Sequence, residues 1–260
     1  RGYDVNTGKL LWVFDTGAAD PNAMPGEGTT FVHNSPNAWA PLAYDAKLDI
    51  VYVPTGVGTP DIWGGDRTEL KERYANSMLA INATTGKLVW HFQTTHHDLW
   101  DMDVPSQPSL ADIQVKSGQT VPAIYVLTKT GNAFVLDRRD GQPIVPMTEK
   151  PVPQIVKWGP QTKGEFYSKT QPFSDFNLAP KEKLTDKDMW GATMFDQLMC
   201  RVKFKRLNYD GIYTPPSENG TLVFPGNLGV FEWGGMSVNT DRQVAVMNPI
   251  GLPFVSRLVP

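Results

Sequence analysis

Short apolar runs that alternate with polar positions recur along the chain, and polar turns separate them. Examples are residues 87–92, 123–127 and 133–136. Alternation with a period of two is typical of β-strands that bury one face. The pattern therefore predicts a protein built mainly of short β-strands.

One sequence pattern occurs twice and returns a third time in weaker form. Residues 3–12 (YDVNTGKLLW) match residues 81–90 (INATTGKLVW), and residues 136–145 (LDRRDGQPIV) keep the turn but lack the tryptophan. Asn or Asp with Thr begins such a turn and glycine takes the left-handed position, so each copy predicts a β-hairpin. The tryptophan that follows the glycine is expected to point into a layer between two sheets.

The spacing of the copies favours a β-propeller. The glycines of the three copies, Gly8, Gly86 and Gly141, lie 78 and then 55 residues apart. A propeller blade takes about 40–50 residues, so the longer interval is expected to hold a full blade with insertions. Residues 44–53 and 238–247 form a second similar pair. Ordinary hairpins of a β-sandwich are the alternative, but two kinds of repeat favour the propeller.

Composition agrees with an all-β chain and narrows its partners. The 260 residues can form one large all-β domain or two smaller ones, and 22 prolines and 23 glycines indicate many turns and few long helices. The net charge of −3 gives no basic face for nucleic acid. No apolar run of about 18 residues is present to span a membrane, and no signal peptide is visible. The single cysteine, Cys200, excludes a disulfide within the chain.

The two ends predict that residues 1–260 are one part of a larger β-propeller domain that continues beyond both of them. Residues 1–5 already have the pattern of a strand, and residues 254–260 stop without a turn. Three to five blades are expected in this part, and unpaired strand edges should leave it inactive on its own.

Two long polar segments, residues 17–38 and 146–190, are predicted to be loops. The second is an insertion-like region in which only residues 181–189 have weak helical character. Loops of this length in a compact domain are usually functional or inserted. A short helix is predicted over residues 190–201 and a tight turn over residues 213–220.

The densest group of titratable side chains is residues 96–103 (HHDLWDMD). Such density is costly unless the groups face water, a metal or a reacting ligand. Asp101 is the candidate catalytic base, which takes a proton from a substrate hydroxyl; the alternative is a turn or cap aspartate. His96 and His97 are adjacent, so on a strand they would face opposite sides and not share one metal. We interpret them as loop-shaping residues.

Trp39 and Lys129 are further candidates. The indole of Trp39 follows several turn-forming residues and can be a flat platform for a planar ligand or a core side chain. Lys129 lies between the strand-like runs 123–127 and 133–136, where it can hold an anionic ligand or be a solvated hairpin lysine. No P-loop, dinucleotide fingerprint or zinc-type Cys/His spacing is present.

Four strings of the sequence give it a recognisable resemblance. Residues 59–65 (TPDIWGG), 96–103 (HHDLWDMD), 188–197 (DMWGATMFDQ) and 224–229 (FPGNLG) resemble the membrane-bound quinoprotein glucose dehydrogenases, which use pyrroloquinoline quinone (PQQ). The resemblance runs from residue 1 to residue 260. Quinate dehydrogenases share many of these strings and are the close rival, and PQQ alcohol and methanol dehydrogenases share the tryptophan-docking repeats.

The resemblance implies an eight-bladed propeller with tryptophan-docking repeats, with PQQ near its axis and a divalent metal, calcium or magnesium, on the quinone. It implies that Asp101 is the base, that Lys129 donates hydrogen bonds to the quinone oxygens, and that Trp39 is the floor under the ring. Asn248 is expected near PQQ. Asp101 and Thr59 are the candidate metal residues, although Thr59 stands where the alcohol enzymes have a metal-binding Asn. Asp101 and Lys129 should then be close enough for each to favour the other's charged form.

The function that the resemblance implies is oxidation of an aldose such as D-glucose to its lactone, with ubiquinone as electron acceptor. The full-length protein is expected at the bacterial inner membrane, held by a segment absent from this chain, with this part facing the periplasm. Quinate, shikimate or another polyol is the alternative substrate. A non-catalytic propeller scaffold that binds protein partners is the alternative class.

Overall fold

The computed structural model describes residues 1–159, 162 and 164–259, and strands dominate it. The strands, in chain order, are β1 (Gly2–Tyr3), β2 (Leu10–Trp12), β3 (Ala43–Asp45), β4 (Ile50–Pro54), β5 (Ser77–Asn82), β6 (Leu88–Gln93), β7 (Ser109–Gln114), β8 (Thr120–Leu127), β9 (Ala133–Asp137), β10 (Met147–Pro151), β11 (Thr170–Ser174), β12 (Thr221–Val223), β13 (Met236–Asn239), β14 (Val244–Met247) and β15 (Phe254–Ser256). The helices are α1 (Glu69–Glu72), α2 (Met194–Arg206) and a single 3₁₀ turn, Asp186–Asp188.

In the two largest sheets, strands that are neighbours in the chain are also neighbours in the sheet. The largest sheet has the order β3-β4-β5-β6, and the next has the order β7-β8-β9. Their strand pairs are all antiparallel. A four-stranded antiparallel meander is the usual form of a propeller blade. The prediction of an all-β chain with propeller-type sheets is confirmed, whereas the total of eight blades stays a prediction.

The main core lies between these two sheets. Tyr52, Met78 and Trp90 from the first sheet are buried against Ile124 and Phe134 from the second. The hydroxyl of Tyr52 also crosses the layer and donates to the backbone carbonyl of Arg138 at 2.7 Å. Removal of these apolar faces from water holds successive sheets together.

The repeated tryptophans join one copy of the repeat to the next in the same register. A Cβ atom on Gly86 would meet the Trp12 ring at 2.5 Å, and one on Gly141 would meet the Trp90 ring at 2.8 Å. The indole N–H of Trp12 donates to the carbonyl of Ala83 at 2.9 Å, and that of Trp90 donates to the carbonyl of Arg138 at 3.2 Å. The acceptor precedes the glycine by three residues in both cases. The predicted position of these tryptophans between sheets is confirmed.

Gly86→Ala in the full-length protein should be clearly more destabilising than Gly8→Ala. Both glycines have a left-handed backbone, with φ of +71° and +69°, but only Gly86 lies under an indole. A left-handed alanine should lower the free energy of unfolding by about 1–2 kcal/mol at either site. Overpacking against Trp12 should lower it by about 1–3 kcal/mol more at Gly86. Urea unfolding of the two variants measures the difference. Equal losses would show that Trp12 does not depend on that contact.

The third copy of the repeat is less regular than the first two. Residues 136–145 form the turn, and Gly141 takes the left-handed conformation with φ of +74°. The return arm is not a strand; it makes an isolated bridge between Leu136 and Pro143 and a backbone hydrogen bond from Ile144 to Val135. The copy that lost its tryptophan has therefore also lost its second strand.

The prediction that residues 146–190 form only loop was wrong in part, because β10 and β11 pair antiparallel within this region, from Met147 with Ser174 to Pro151 with Thr170. Most of β10 is exposed, so its sequence does not alternate between apolar and polar residues and gives no sign of a strand. The weak helical character of residues 181–189 corresponds to the short 3₁₀ turn alone.

The predicted short helix over residues 190–201 exists, but it is displaced along the chain. It begins after Thr193, whose hydroxyl accepts the backbone N–H of Asp196, and runs to Arg206. In the described part of the chain, no helix is long and apolar enough to cross a bilayer.

Candidate active site

The loop that follows β6 is shaped by a buried carboxylate. Asp98 accepts the backbone N–H of Trp100 at 2.8 Å and that of Met102 at 2.6 Å, and the side-chain amide of Asn76 donates to it at 2.6 Å. Burial raises the pKa of Asp98 to about 6. Asp101 lies within this turn in a left-handed conformation with φ of +60°. A non-glycine residue in that region is uncommon and often marks a functional loop.

Lys129 brings a buried positive charge to this loop from the β8–β9 turn. Its Nζ lies 3.1 Å from Asp101 Oδ1, 3.5 Å from Asp103 Oδ2 and 4.0 Å from Glu232 Oε1. The Lys129 side chain is 5% exposed, so the alternative of a solvated hairpin lysine is wrong. One ammonium group faces three carboxylates in this site.

Trp39 completes the group from the other side. Lys129 Nζ lies 5.6 Å from the centroid of the indole ring, within range of a cation–π interaction. The indole N–H donates to Asp103 Oδ2 at 3.0 Å. Trp39 is half-buried, so its ring is not enclosed in the hydrophobic core. The structure therefore brings Asp101, Lys129 and Trp39 together, while their roles stay predictions.

The charges of the site act unequally on its two central groups. Burial and the negative charge of Asp103 raise the pKa of Asp101 to about 8, although Lys129 works against them. Burial lowers the pKa of Lys129, but the charges of Asp103 and Asp101 outweigh it and the net pKa is raised. The expectation that each group favours the other's charged form is confirmed, because Lys129 lowers the pKa of Asp101 and Asp101 raises the pKa of Lys129. In the net pKa of Asp101, burial and the charge of Asp103 outweigh the effect of Lys129.

Three residues of the site were not predicted from the sequence: Asp103, Glu232 and Trp233. Asp103 was detectable, since it lies two residues after Asp101 in the same acidic string. Glu232 and Trp233 belong to none of the motifs identified in the sequence. They reach the site because the backbone N–H of Val230 donates to the carbonyl of Lys129 at 2.8 Å. The Trp233 ring then lies 5.1 Å from the Trp39 ring.

Thr59 and Asn248 do not join this group. Thr59 is exposed, and no hydrogen bond in the described part of the chain links it to Asp101. Asn248 is exposed as well and lines a cavity of about 310 Å³ that Glu232 also lines. Asn248 is therefore adjacent to the site, whereas the proposed metal role of Thr59 has no support in the geometry.

The site suits a planar ligand with hydrogen-bond acceptors better than it suits a metal held by this part of the chain alone. Lys129 offers a cation and Trp39 a flat aromatic face for such a ligand. No three of the His, Cys, Asp and Glu side chains among the described residues converge to hold a metal ion. The second carboxylate oxygen of Asp101 has no hydrogen-bond partner among the described residues, so Asp101 can offer one ligand.

The two histidines of the string fasten their loop to α1, to β10 and to the segment around Glu165, which agrees with their interpretation as loop-shaping residues. His97 lies between Glu72 Oε1 at 3.0 Å and Glu165 Oε1 at 2.9 Å, and its ring stacks on Phe166. Arg67 adds a further charge, 3.6 Å from Glu72. His96 contacts Glu149 at 3.0 Å.

His97→Gln should reduce stability most at acidic pH. Burial lowers the pKa of His97, but hydrogen bonds to Glu165 and Glu72 outweigh it and raise the net pKa. A histidine whose pKa is raised by folding contributes its full stabilisation at pH values below its pKa in the unfolded state, about 6.5. That contribution is lost as the pH rises through its pKa in the folded state. Unfolding of the full-length wild type and variant across pH measures it, with exposed His33→Gln as control. A gap that widens toward alkaline pH would contradict the expectation.

Comparison with known proteins places this geometry in a family. Residues 1–260 match the family described as PQQ, glucose/ethanol/alcohol dehydrogenase, beta-propeller domain. The whole chain is 94% identical to quinoprotein glucose dehydrogenase A of Acinetobacter calcoaceticus and 65% identical to quinoprotein glucose dehydrogenase of Escherichia coli. It is 43% identical to the quinate/shikimate dehydrogenase (quinone) of Acinetobacter baylyi. The chain spans 32% of the length of each of these relatives.

A solved structure shows the same fold. The chain matches the quinohemoprotein alcohol dehydrogenase from Comamonas testosteroni with a TM-score of 0.52 and 22% identity, over 94% of this chain and 32% of that one. Identity at this level supports the propeller architecture alone. Since the family match covers the chain from end to end and agrees with the sheets and their tryptophan contacts, this chain belongs to the β-propeller domain family of PQQ-dependent glucose, ethanol and alcohol dehydrogenases.

Proposed function

We propose that the full-length protein is a PQQ-dependent dehydrogenase that oxidises an aldose such as D-glucose to its lactone. The observation that carries the proposal is the pair formed by Asp101 and Lys129, 3.1 Å apart beside the indole of Trp39. This pair places a proton acceptor and a cation next to a flat aromatic face. The 94% identity to a quinoprotein glucose dehydrogenase supports glucose as substrate.

The chain's own residues divide the work in this reaction. In its deprotonated form Asp101 accepts the proton of the sugar's anomeric hydroxyl, and its raised pKa makes this carboxylate a stronger base than an ordinary aspartate. Lys129 donates hydrogen bonds to an oxygen of the cofactor and stabilises negative charge that develops there. Trp39 supplies the surface on which a planar ring lies. When bound, PQQ supplies a quinone that accepts a hydride from the sugar carbon.

The remaining partners belong to the same proposal. A divalent metal, calcium or magnesium, would take Asp101 as one ligand, with the other ligands outside the described residues. Ubiquinone would accept the electrons, and the full-length protein would be held at the bacterial inner membrane with this propeller facing the periplasm. The chain would then be one part of an eight-bladed propeller that continues beyond residues 1 and 260.

Titration of the full-length protein with PQQ, followed by turnover assays with glucose and quinate as electron donors, tests the proposal. Saturable PQQ binding and preferred oxidation of glucose are the expected results. Preferred oxidation of quinate would favour the alternative substrate. The 43% identity to a quinate/shikimate dehydrogenase is the reason for testing it. Absence of PQQ binding would favour the scaffold class.

A further inference from the structure

We propose that Asp103 is a positioning residue that holds Trp39 and Lys129 in one geometry, so that both can meet the same planar ligand. The inference rests on the proposed function, because it takes PQQ as that ligand. It adds a residue that neither approaches the substrate nor needs to contact the cofactor.

Both carboxylate oxygens of Asp103 are engaged within the protein. Oδ1 accepts the backbone N–H of Val57 at 3.0 Å, and Oδ2 accepts the indole N–H of Trp39 at 3.0 Å. Oδ2 also lies 3.5 Å from the Lys129 ammonium group, and the Asp103 side chain is only 9% exposed. This carboxylate therefore faces the protein and acts on a ligand through its neighbours.

Asp101 provides the contrast within the same loop. Its Oδ1 lies 3.1 Å from the same ammonium group, and its side chain is 20% exposed. Its other oxygen has no hydrogen-bond partner in the part of the chain that the structure describes. Of the two carboxylates, Asp101 is therefore available to a substrate and Asp103 is committed to the framework.

Asp103 is the carboxylate that links the two groups to each other, since Lys129 is also held by Asp101 but Trp39 is not. An indole can only donate, through its single N–H, and Asp103 is the one partner of the Trp39 N–H among the described residues. Lys129 is fastened to Asp103 a second time, because its backbone N–H donates to the Asp103 carbonyl at 3.4 Å. The bond to Asp103 thus fixes the rotation of the ring, and Asp103 together with Asp101 holds the ammonium group beside it.

Gly56 has no side chain, and this leaves space for the carboxylate of Asp103. A Cβ atom on Gly56 would lie 2.5 Å from Asp103 Oδ1. Any side chain at residue 56 would push the carboxylate away from the Val57 N–H and, with it, from Trp39. The glycine therefore belongs to the same arrangement.

Asp103→Asn and Trp39→Phe, alone and combined in the full-length protein, test the inference with PQQ as the titrated probe. Asparagine keeps one acceptor but turns the other atom into a donor, and phenylalanine keeps an aromatic face but removes the N–H. Each single change should weaken PQQ binding by about 10-fold or more, since each removes or misdirects a charge-assisted hydrogen bond. The double variant should lose little beyond the larger single loss, because the two changes break the same bond.

Asp210→Asn is the matched control, since Asp210 is also paired with a lysine, Lys183 at 2.6 Å, but is exposed; it should bind PQQ as the wild type does. Wild-type affinity in Asp103→Asn, or losses that simply add in the double variant, would overturn the positioning role. Should Asp103→Asn fail to fold, Trp39→Phe decides alone, because unchanged PQQ affinity there would refute the role of the N–H. Absence of PQQ binding in the wild type would instead refute the proposed function.

Discussion

Asp101→Asn in the full-length protein should lower kcat by roughly 10²–10⁴-fold, the range expected for loss of a general base, while PQQ binding is largely retained. Asparagine keeps the size of the side chain and can still accept a hydrogen bond from Lys129 through its oxygen. It cannot take a proton from the sugar hydroxyl. Turnover with glucose and an artificial electron acceptor measures kcat, and a parallel titration measures PQQ affinity.

Asp186→Asn is the control for this experiment, because Asp186 is likewise ion-paired, to Arg201 at 2.6 Å, but lies in the 3₁₀ turn before α2, away from the catalytic loop. Its kcat should equal that of the wild type. Unchanged turnover in Asp101→Asn would remove the basis for assigning the base, and with it the mechanism proposed above.

Lys129→Met should reduce both stability and cofactor affinity. Methionine has a similar length but leaves Asp101, Asp103 and Glu232 without their shared cation. Removal of one partner of a buried ion pair costs about 3–5 kcal/mol, and loss of a charged hydrogen bond to PQQ should weaken its binding by about 10- to 100-fold. Urea unfolding without cofactor measures the first effect, and PQQ titration measures the second.

Lys183→Met supplies the comparison, because the Lys183 side chain is 63% exposed and its partner Asp210 is 70% exposed. A surface pair contributes about 0–1 kcal/mol, so this variant should stay close to the wild type in both measurements. If Lys129→Met also retained wild-type stability, the three surrounding carboxylates would not depend on the ammonium group, and the charge arrangement described here would be wrong.

Local pattern was informative wherever local geometry controls the structure. The turns around Gly8 and Gly86 follow from the residues themselves, because Asn or Asp and Thr begin a tight turn and glycine accepts a left-handed backbone. Trp12 and Trp90 were correctly placed between sheets for a similar reason, since a large aromatic at an alternating position of a strand is buried on one face. β10 escaped detection because it is mostly exposed and carries no such alternation.

Only part of the candidate site was predicted from the sequence, and the balance of its charges was not. Asp101, Lys129 and Trp39 were identified from residue type, loop position and resemblance, and the structure brings them together. Thr59 was placed by analogy with the alcohol enzymes, and the fold leaves it exposed and apart. Analogy transfers a position in a motif, but it does not transfer the path of a loop whose sequence differs.

By itself, the sequence determined the strand-rich class, the hairpin repeats, the glycines at their left-handed turn positions and the acidic string that carries the candidate base. Only the tertiary structure decided that Asp103 faces Trp39 and Lys129, that Glu232 and Trp233 reach the same place, and that the pKa of Asp101 is raised. The physical reason is the distance along the chain between the residues that interact. Turns and alternation depend on neighbouring residues, whereas burial and the sum of charges around a group depend on segments that meet only when separate sheets pack together.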